Sequence, residues 1–196
     1  MEILTAEQTE PEWLIPDLLL QGSLVAIAGE PGTGKSYLTY TIGLAIAAGC
    51  EALSGLVPAG TPRRVIYFDQ ENGRQDRNRY LLQSYYGLMR GGTVPNLDSL
   101  GANFYPCHFG LGQDDWYEVA AAYVEALQPH LIVFDTSTPC MNIENENDNG
   151  EATRAINRLR EVMALADPVA SAVVLKHAKM KTEKGGRRTI RGGKSW

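Results

Sequence analysis

Cysteine is scarce, with 3 in 196 residues, at positions 50, 107 and 140 and in no C-x-x-C spacing. An odd, scattered set provides neither a disulfide framework nor a zinc knuckle, so a reducing, cytoplasmic location is expected. Long apolar runs are lacking too: residues 42–48 are too few to cross a bilayer. The acidic start, with Glu2, Glu7, Glu10 and Glu12, has no basic export region, and the expectation is a soluble, unexported protein with no membrane contact. Positive charge is also in short supply. Against 23 Asp and Glu there are 18 Lys and Arg, for a net charge of −5, which excludes a protein that coats nucleic acid over its whole surface and leaves room only for a local basic patch. Internal repeats are absent. With 44% hydrophobic residues, the chain can bury one ordinary core, and its length points to a single domain.

Apolar runs alternate with amphipathic stretches. Residues 24–28 (LVAIA), 64–69 (RVIYFD), 131–135 (LIVFD) and 171–175 (SAVVL) have the short continuous apolar character of strands buried on both faces. Between them, residues 35–48, the region around Leu81 to Met89, the stripe from Trp116 to Leu127, and the face Ala152, Ala155, Ile156, Leu159, Val162, Met163 and Ala166 recur at helical spacing. The last helix has Asp148 or Asn149 as its expected N-cap. This order predicts an α/β fold, a doubly wound, mostly parallel sheet with helices on both faces and its ligand site at the carboxyl ends of the strands. Residues 142–150 and the basic run 176–194 are expected to be loops.

Gly29-Glu30-Pro31-Gly32-Thr33-Gly34-Lys35-Ser36 follows the first of these strands and opens the first helix, and it matches G-x-x-x-x-G-K-[ST]. Glycines let successive backbone N–H groups converge on phosphate oxygens, and the helix N-terminus adds partial positive charge. Lys35 brings a full charge to the β- and γ-phosphates, Ser36 a hydroxyl for Mg²⁺, and Tyr37 continues the cradle into the helix. The expected ligands are ATP and Mg²⁺. Asp135 ends an apolar strand, where a carboxylate can hold the metal through a bound water; by itself such a residue could equally cap the following turn. Hydrolysis needs a further carboxylate to orient a water or take its proton. The residue after Asp135 is Thr136, so the base must come from elsewhere. Glu71, in Asp69-Gln70-Glu71-Asn72 after the second strand, emerges at the same sheet edge. A glutamate beside Asn-Gly also has the makings of a solvated turn, and the accompanying phosphate loop is what favours the base.

These residues resemble the RecA-like P-loop ATPases, most closely the RepA-type hexameric replicative helicases of plasmids and phages. The likeness spans nearly the whole chain. It is carried by the lead-in from Trp13 to Gly22, the phosphate loop, Asp69-Gln-Glu-Asn72, the strand ending at Asp135, the acidic loop 144–148, and Lys176-His177 followed by Arg191-Gly-Gly193. The resemblance implies that Glu71 is the catalytic carboxylate and that the fourth strand inserts between the first and third, aiming His177 at the γ-phosphate as a nucleotide sensor. Relatives often have two histidines there, whereas this chain has Lys176-His177-Ala178. It also implies a homo-oligomeric ring, a hexamer, in which a basic residue of the neighbouring subunit reaches the phosphate. Arg191 is the first candidate, with Arg187, Arg188 and Lys194 as competitors. Further strands would follow Arg191-Gly-Gly193, so residues 1–196 read as one RecA-like domain cut before its last strands, with 1–22 as lead-in and 176–196 as a basic tail.

Eight basic residues between Lys176 and Lys194 are opposed by Glu183 alone, with glycine pairs at 185–186 and 192–193. A mobile cationic loop of this kind could track the backbone of single-stranded DNA. The leading expectation is a DNA-stimulated ATPase, a ring helicase or translocase in plasmid, phage or mobile-element replication. A strand-exchange recombinase or accessory paralogue, and a nucleotide-gated assembly module with little turnover, are the alternatives.

Overall fold

The computed structural model of the chain describes residues 11–108, 116–141, 149–177, 180–182 and 188–190. A short antiparallel hairpin, β1 (Trp13–Ile15) and β2 (Leu19–Leu20), comes first. The main sheet has five strands: β3 (Leu24–Gly29), β4 (Val65–Asp69), β5 (Phe104–Cys107), β6 (Leu131–Asp135) and β7 (Ser171–His177). All are parallel, in the order β3-β7-β6-β4-β5. The fourth expected strand, β7, thus lies between the first and third, as the resemblance implied.

Among the described residues six helices accompany the strands: α1 (Lys35–Ala48), α2 (Arg74–Arg90), α3 (Leu97–Asn103), α4 (Trp116–Leu127), the single turn α5 (Ser137–Cys140) and α6 (Asn149–Met163). Side chains alternate across a strand, and that alternation divides the core in two. Ile66, Phe68, Ile132, Phe134, Ala172 and Val174 point to one face, where Val124 of α4 and Leu159 and Val162 of α6 cover them. Val65, Tyr67, Leu131, Val133, Val173 and Leu175 point to the other, beneath Tyr40, Leu44 and Ala47 of α1 and Leu88 of α2. Burial on both faces is why β4, β6 and β7 read as apolar runs; β3, expected to be equally buried, is an edge strand and has no buried residue.

α1 is buried along nearly all of its length beyond Thr39, which its apolar Ile42-Gly-Leu-Ala-Ile-Ala-Ala48 sequence permits. It stops at Gly49, whose φ of 66° turns its N–H back to the carbonyls of Ala45 and Ile46. A Cβ at Gly49 would lie 2.4 Å from the Gly60 carbonyl oxygen, so both backbone conformation and contact demand glycine there.

Several elements depart from the sequence expectation. β5 was not foreseen, because Pro106 in a four-residue run argues against a central strand; it is an edge strand paired only with β4, where a missing N–H is tolerated. α3 also went unread, though Asn96 caps it by accepting the Ser99 N–H at 2.9 Å. α6 already includes Asn149 and Gly150, which therefore belong to its first turn and not to a loop or N-cap; Asp148 lies outside the described residues. The described parts of the basic run are strand where a loop was expected. Lys176 and His177 finish β7, and β8 (Met180–Thr182) pairs antiparallel with β9 (Arg188–Ile190). Among the described residues no helix is long and apolar enough to cross a membrane, and the three cysteines are free.

Candidate active site

Parallel strands bring their carboxyl ends to one edge, and register decides which residues meet there. Gly29 pairs with His177 at the ends of β3 and β7, and Asp69 pairs with Asp135 at the ends of β4 and β6. A loop glycine, a histidine and two carboxylates from four distant stretches of sequence therefore stand side by side.

The loop between β3 and α1 turns on Gly32 and Gly34, with φ of 77° and 86°, values that side chains with a Cβ avoid. A Cβ at either would meet nothing within 4 Å, so the glycines serve backbone conformation and not packing. Thr33 closes the turn, its hydroxyl donating to the Glu30 carbonyl at 2.8 Å. Lys35 folds back across the loop, its ammonium donating to the carbonyls of Gly29 and Glu30, each at 3.0 Å. The N–H groups of the first turn, ahead of the Leu38 to Gly34 bond, have no carbonyl to take within the helix. Converging N–H dipoles beside an ammonium make an anion cradle.

Asp135 is 1% exposed. Its Oδ2 accepts from the Tyr67 hydroxyl at 3.0 Å, and that hydroxyl also lies 2.7 Å from the Thr39 hydroxyl of α1. Burial pushes the Asp135 carboxyl up to about 6; the neighbouring Asp69 and Glu71 add to the rise, while hydrogen bonds from Ser36 and Tyr67 oppose it. Its Oδ1 is buried without a partner among the described atoms. An anionic oxygen with no donor, on a carboxylate that lines the same cleft as the Ser36 hydroxyl, fits a hard divalent cation. No group of three or more His, Cys, Asp and Glu among the described residues could hold a metal unaided, so phosphate and water oxygens would complete the shell.

The raised Asp135 carboxyl has a consequence for stability. Below the ordinary carboxylate range both folded and unfolded chains hold its proton; between that range and about 6 only the folded chain does, so stability falls as pH rises through the window. Above it the buried charge is a constant burden, about 3 kcal/mol. Asp135→Asn, melted in EDTA without nucleotide, is therefore expected to unfold roughly 6–12 °C higher than wild type at pH 8, with the gap closing toward pH 4. A variant that melts below wild type at pH 8 would contradict this account.

Glu71 is placed by Asp69. That carboxylate, also 1% exposed, accepts the Asn72 backbone N–H and side-chain amide at 3.0 Å each and the Tyr40 hydroxyl at 3.1 Å. Burial raises its own pKa, and these donors oppose the rise. The Gln70 N–H donates to the Asp135 carbonyl at 2.9 Å, fastening the same turn to β6. Glu71, at its crest, meets His177: Nε2 lies 2.7 and 2.9 Å from the two carboxylate oxygens. The sequence reading nominated both residues separately; the structure joins them.

These groups surround one cleft of about 540 Å³. Of the nominated loop residues, Pro31, Gly32, Gly34, Lys35, Ser36 and Tyr37 line it, and Gly29, Glu30 and Thr33 brace it from behind. Glu71, Asp135 and His177 form a wall, joined by Asn72, Thr136 and Tyr80. Arg191, Arg187 and Lys194 lie outside the described residues, as does the acidic loop 144–148; Arg188 opens β9. Sequence reasoning assigned no role to Asp69, Tyr67, Thr39, Asn72 or Tyr80. Asp69 carried a signal, the same apolar-strand-then-Asp pattern as Asp135. The tyrosines carried none, since their roles depend on contacts between elements.

A cradle of N–H groups with a lysine binds polyphosphate, and a carboxylate next to a hydroxyl can share a divalent cation with it. An acid beyond them can direct water at the terminal phosphorus. A family model described as an AAA domain matches residues 1–183 of this chain. No curated protein matches it.

Proposed function

The chain belongs to the AAA domain family and is a nucleotide-hydrolysing ATPase in the general sense, and from that premise we propose that it hydrolyses ATP under stimulation by single-stranded DNA, as a ring helicase or translocase in plasmid, phage or mobile-element replication. The observation that supports this reading is the Glu71–His177 contact. Strand β7 carries His177 at its end, beside the hydrolytic carboxylate, and the chain then enters the basic segment 176–194. A polyanion bound on that segment would bear directly on the residue that holds Glu71.

In this mechanism the first turn of α1 and Lys35 bind the phosphates, and Ser36 and Asp135 would hold Mg²⁺. The bound cation would neutralise charge on the phosphate oxygens. Glu71 takes a proton from the attacking water as its oxygen bonds to the γ-phosphorus, and the bond from that phosphorus to the bridging oxygen breaks to leave ADP. His177 donates toward the terminal phosphate once Glu71 releases it. In a hexameric ring, Arg191 of the neighbouring subunit would add charge at the same phosphate.

Addition of single-stranded DNA is expected to raise ATP turnover several-fold, and the gain should shrink steeply with added salt, because basic residues exchange counterions for phosphates. Turnover assayed from low to moderate salt, with particle mass measured with and without nucleotide, tests both parts. A rate indifferent to DNA at every salt concentration would remove the motor reading, and a mass that stays monomeric with nucleotide would remove the ring.

A further inference from the structure

We propose that Tyr67 is a positioning residue for the cation: with Thr39 it forms a hydroxyl relay that occupies one oxygen of Asp135 and reserves the other, Oδ1, for the metal side of the cleft. This rests on the reading of Ser36 and Asp135 as the cation-holding pair. Two buried carboxylates, Asp69 and Asp135, stand in register at the ends of β4 and β6, and their partners set them apart. Asp69 has both oxygens occupied. Its Oδ1 accepts the Asn72 backbone N–H, its Oδ2 accepts the Tyr40 hydroxyl, and the Asn72 amide lies 3.0 and 3.1 Å from the two. It holds a turn and has no oxygen left for a ligand. Asp135 has Oδ2 bonded to Tyr67 and Oδ1 buried without a partner among the described atoms. Burying an anionic oxygen unpaired is costly, and a cation arriving with the nucleotide would offset that cost.

Counting protons gives the relay its direction. An ionised carboxylate can only accept, so Tyr67 donates its single proton to Asp135 at 3.0 Å. At the 2.7 Å contact with Thr39 it must then accept. Thr39 also lies 3.1 and 3.2 Å from the carbonyl oxygens of Lys35 and Ser36, but the contact with Tyr67 is the shortest of the three. The relay therefore starts on α1, about one turn beyond Ser36, crosses β4 and ends on β6. It ties the helix that carries the Ser36 hydroxyl to the strand that carries Asp135, and both of those residues line the cleft. Tyr67 is itself fixed, wholly buried with its ring stacked on Tyr40 at 4.0 Å. Groups that orient a metal ligand in this way are worth about 10- to 100-fold in metal affinity.

The test uses Mn²⁺ in place of Mg²⁺, because electron paramagnetic resonance reads the free ion directly. Mn²⁺ is titrated into the full chain saturated with ADP, and ADP affinity is measured separately in EDTA. Tyr67→Phe keeps the ring and its stack on Tyr40; it should weaken Mn²⁺ binding by roughly 10- to 100-fold and leave ADP affinity in EDTA unchanged. Thr39→Val, which leaves Tyr67 and Asp135 in place, should weaken Mn²⁺ by about 2- to 10-fold, the worth of one neutral hydrogen bond. Tyr40→Phe, which takes the corresponding hydroxyl from Asp69, should bind Mn²⁺ as wild type does. Wild-type Mn²⁺ affinity in Tyr67→Phe would overturn the positioning role, and wild-type affinity in Thr39→Val would overturn the relay. Equal losses in Tyr67→Phe and Tyr40→Phe would overturn both, by making the tyrosine pair a packing element only. Wild-type chain with ADP that takes up no Mn²⁺ would refute the cation reading of Ser36 and Asp135, and the relay would fall with it.

Discussion

Glu71→Gln is expected to lower ATP turnover by about 10²- to 10⁴-fold, the span that a positioned general base contributes, while nucleotide affinity stays within a few-fold of wild type. The substitution is discriminating because of what surrounds the residue. Glutamine keeps the length of the side chain and an oxygen that can still accept from His177 Nε2, 2.7 Å away in the wild type. The turn carrying it is held by Asp69 and Asn72, which the change leaves alone. What disappears is the negative charge and the capacity to take a proton. Single-turnover phosphate release, measured beside equilibrium binding of a fluorescent ATP analogue, separates the chemical step from affinity. Phosphate release at the wild-type rate would show that Glu71 does not direct the water, and would favour a nucleotide-gated assembly module over a motor.

Lys35→Met is expected to abolish turnover and to weaken ATP binding by about 100-fold or more, since it removes a full charge from a site where hydrogen bonds to charged groups are each worth about 1.5–3 kcal/mol. Two effects combine. The ammonium is lost from the phosphate cradle, and so are its bonds to the Gly29 and Glu30 carbonyls, which hold the loop in shape. Methionine keeps the aliphatic stem, so the packing loss is small. Because the lysine's reach favours the outer phosphates, ATP should lose more affinity than AMP, and titration of both nucleotides reads that difference. Equal affinity for ATP in variant and wild type would contradict the assignment of residues 29–36 as a phosphate loop.

The two predictions test different parts of the site, and those parts were legible in the sequence to different degrees. Residues 29–36 could be read because their chemistry is local: glycines, lysine and serine act within one turn of chain, between a strand and a helix that their own patterns announce. β4, β6 and β7 could be read because burial on both faces leaves them apolar throughout. β5 could not, since a four-residue strand with Pro106 is stabilised by its edge position and by β4, not by its own preferences. The basic run was read as a loop from its charge and glycines, whereas pairing between Met180–Thr182 and Arg188–Ile190 depends on registration between two segments too short to announce themselves.

Glu71 and His177 mark where the sequence stopped deciding. Their residue types and positions after apolar strands made each a candidate, because strand ends in a parallel sheet gather at one edge. That they touch, through residues 106 apart in the chain, follows from β7 and β4 flanking β6 and from the turn that Asp69 ties. The same holds for Tyr67, whose hydroxyl steadies Asp135 across neighbouring strands, and for Tyr80, which reaches the cleft only because α2 packs beside α1. The sequence by itself determined the α/β order and marked out the candidate phosphate loop and the candidate acids, all of which are written in periodicity and short-range spacing. Tertiary structure alone decided which acid meets the histidine, which tyrosines are core and which line the cleft, and how Asp135 keeps one oxygen without a partner among the described atoms. Those outcomes depend on strand order, register and burial, which arise from contacts between segments far apart in the chain.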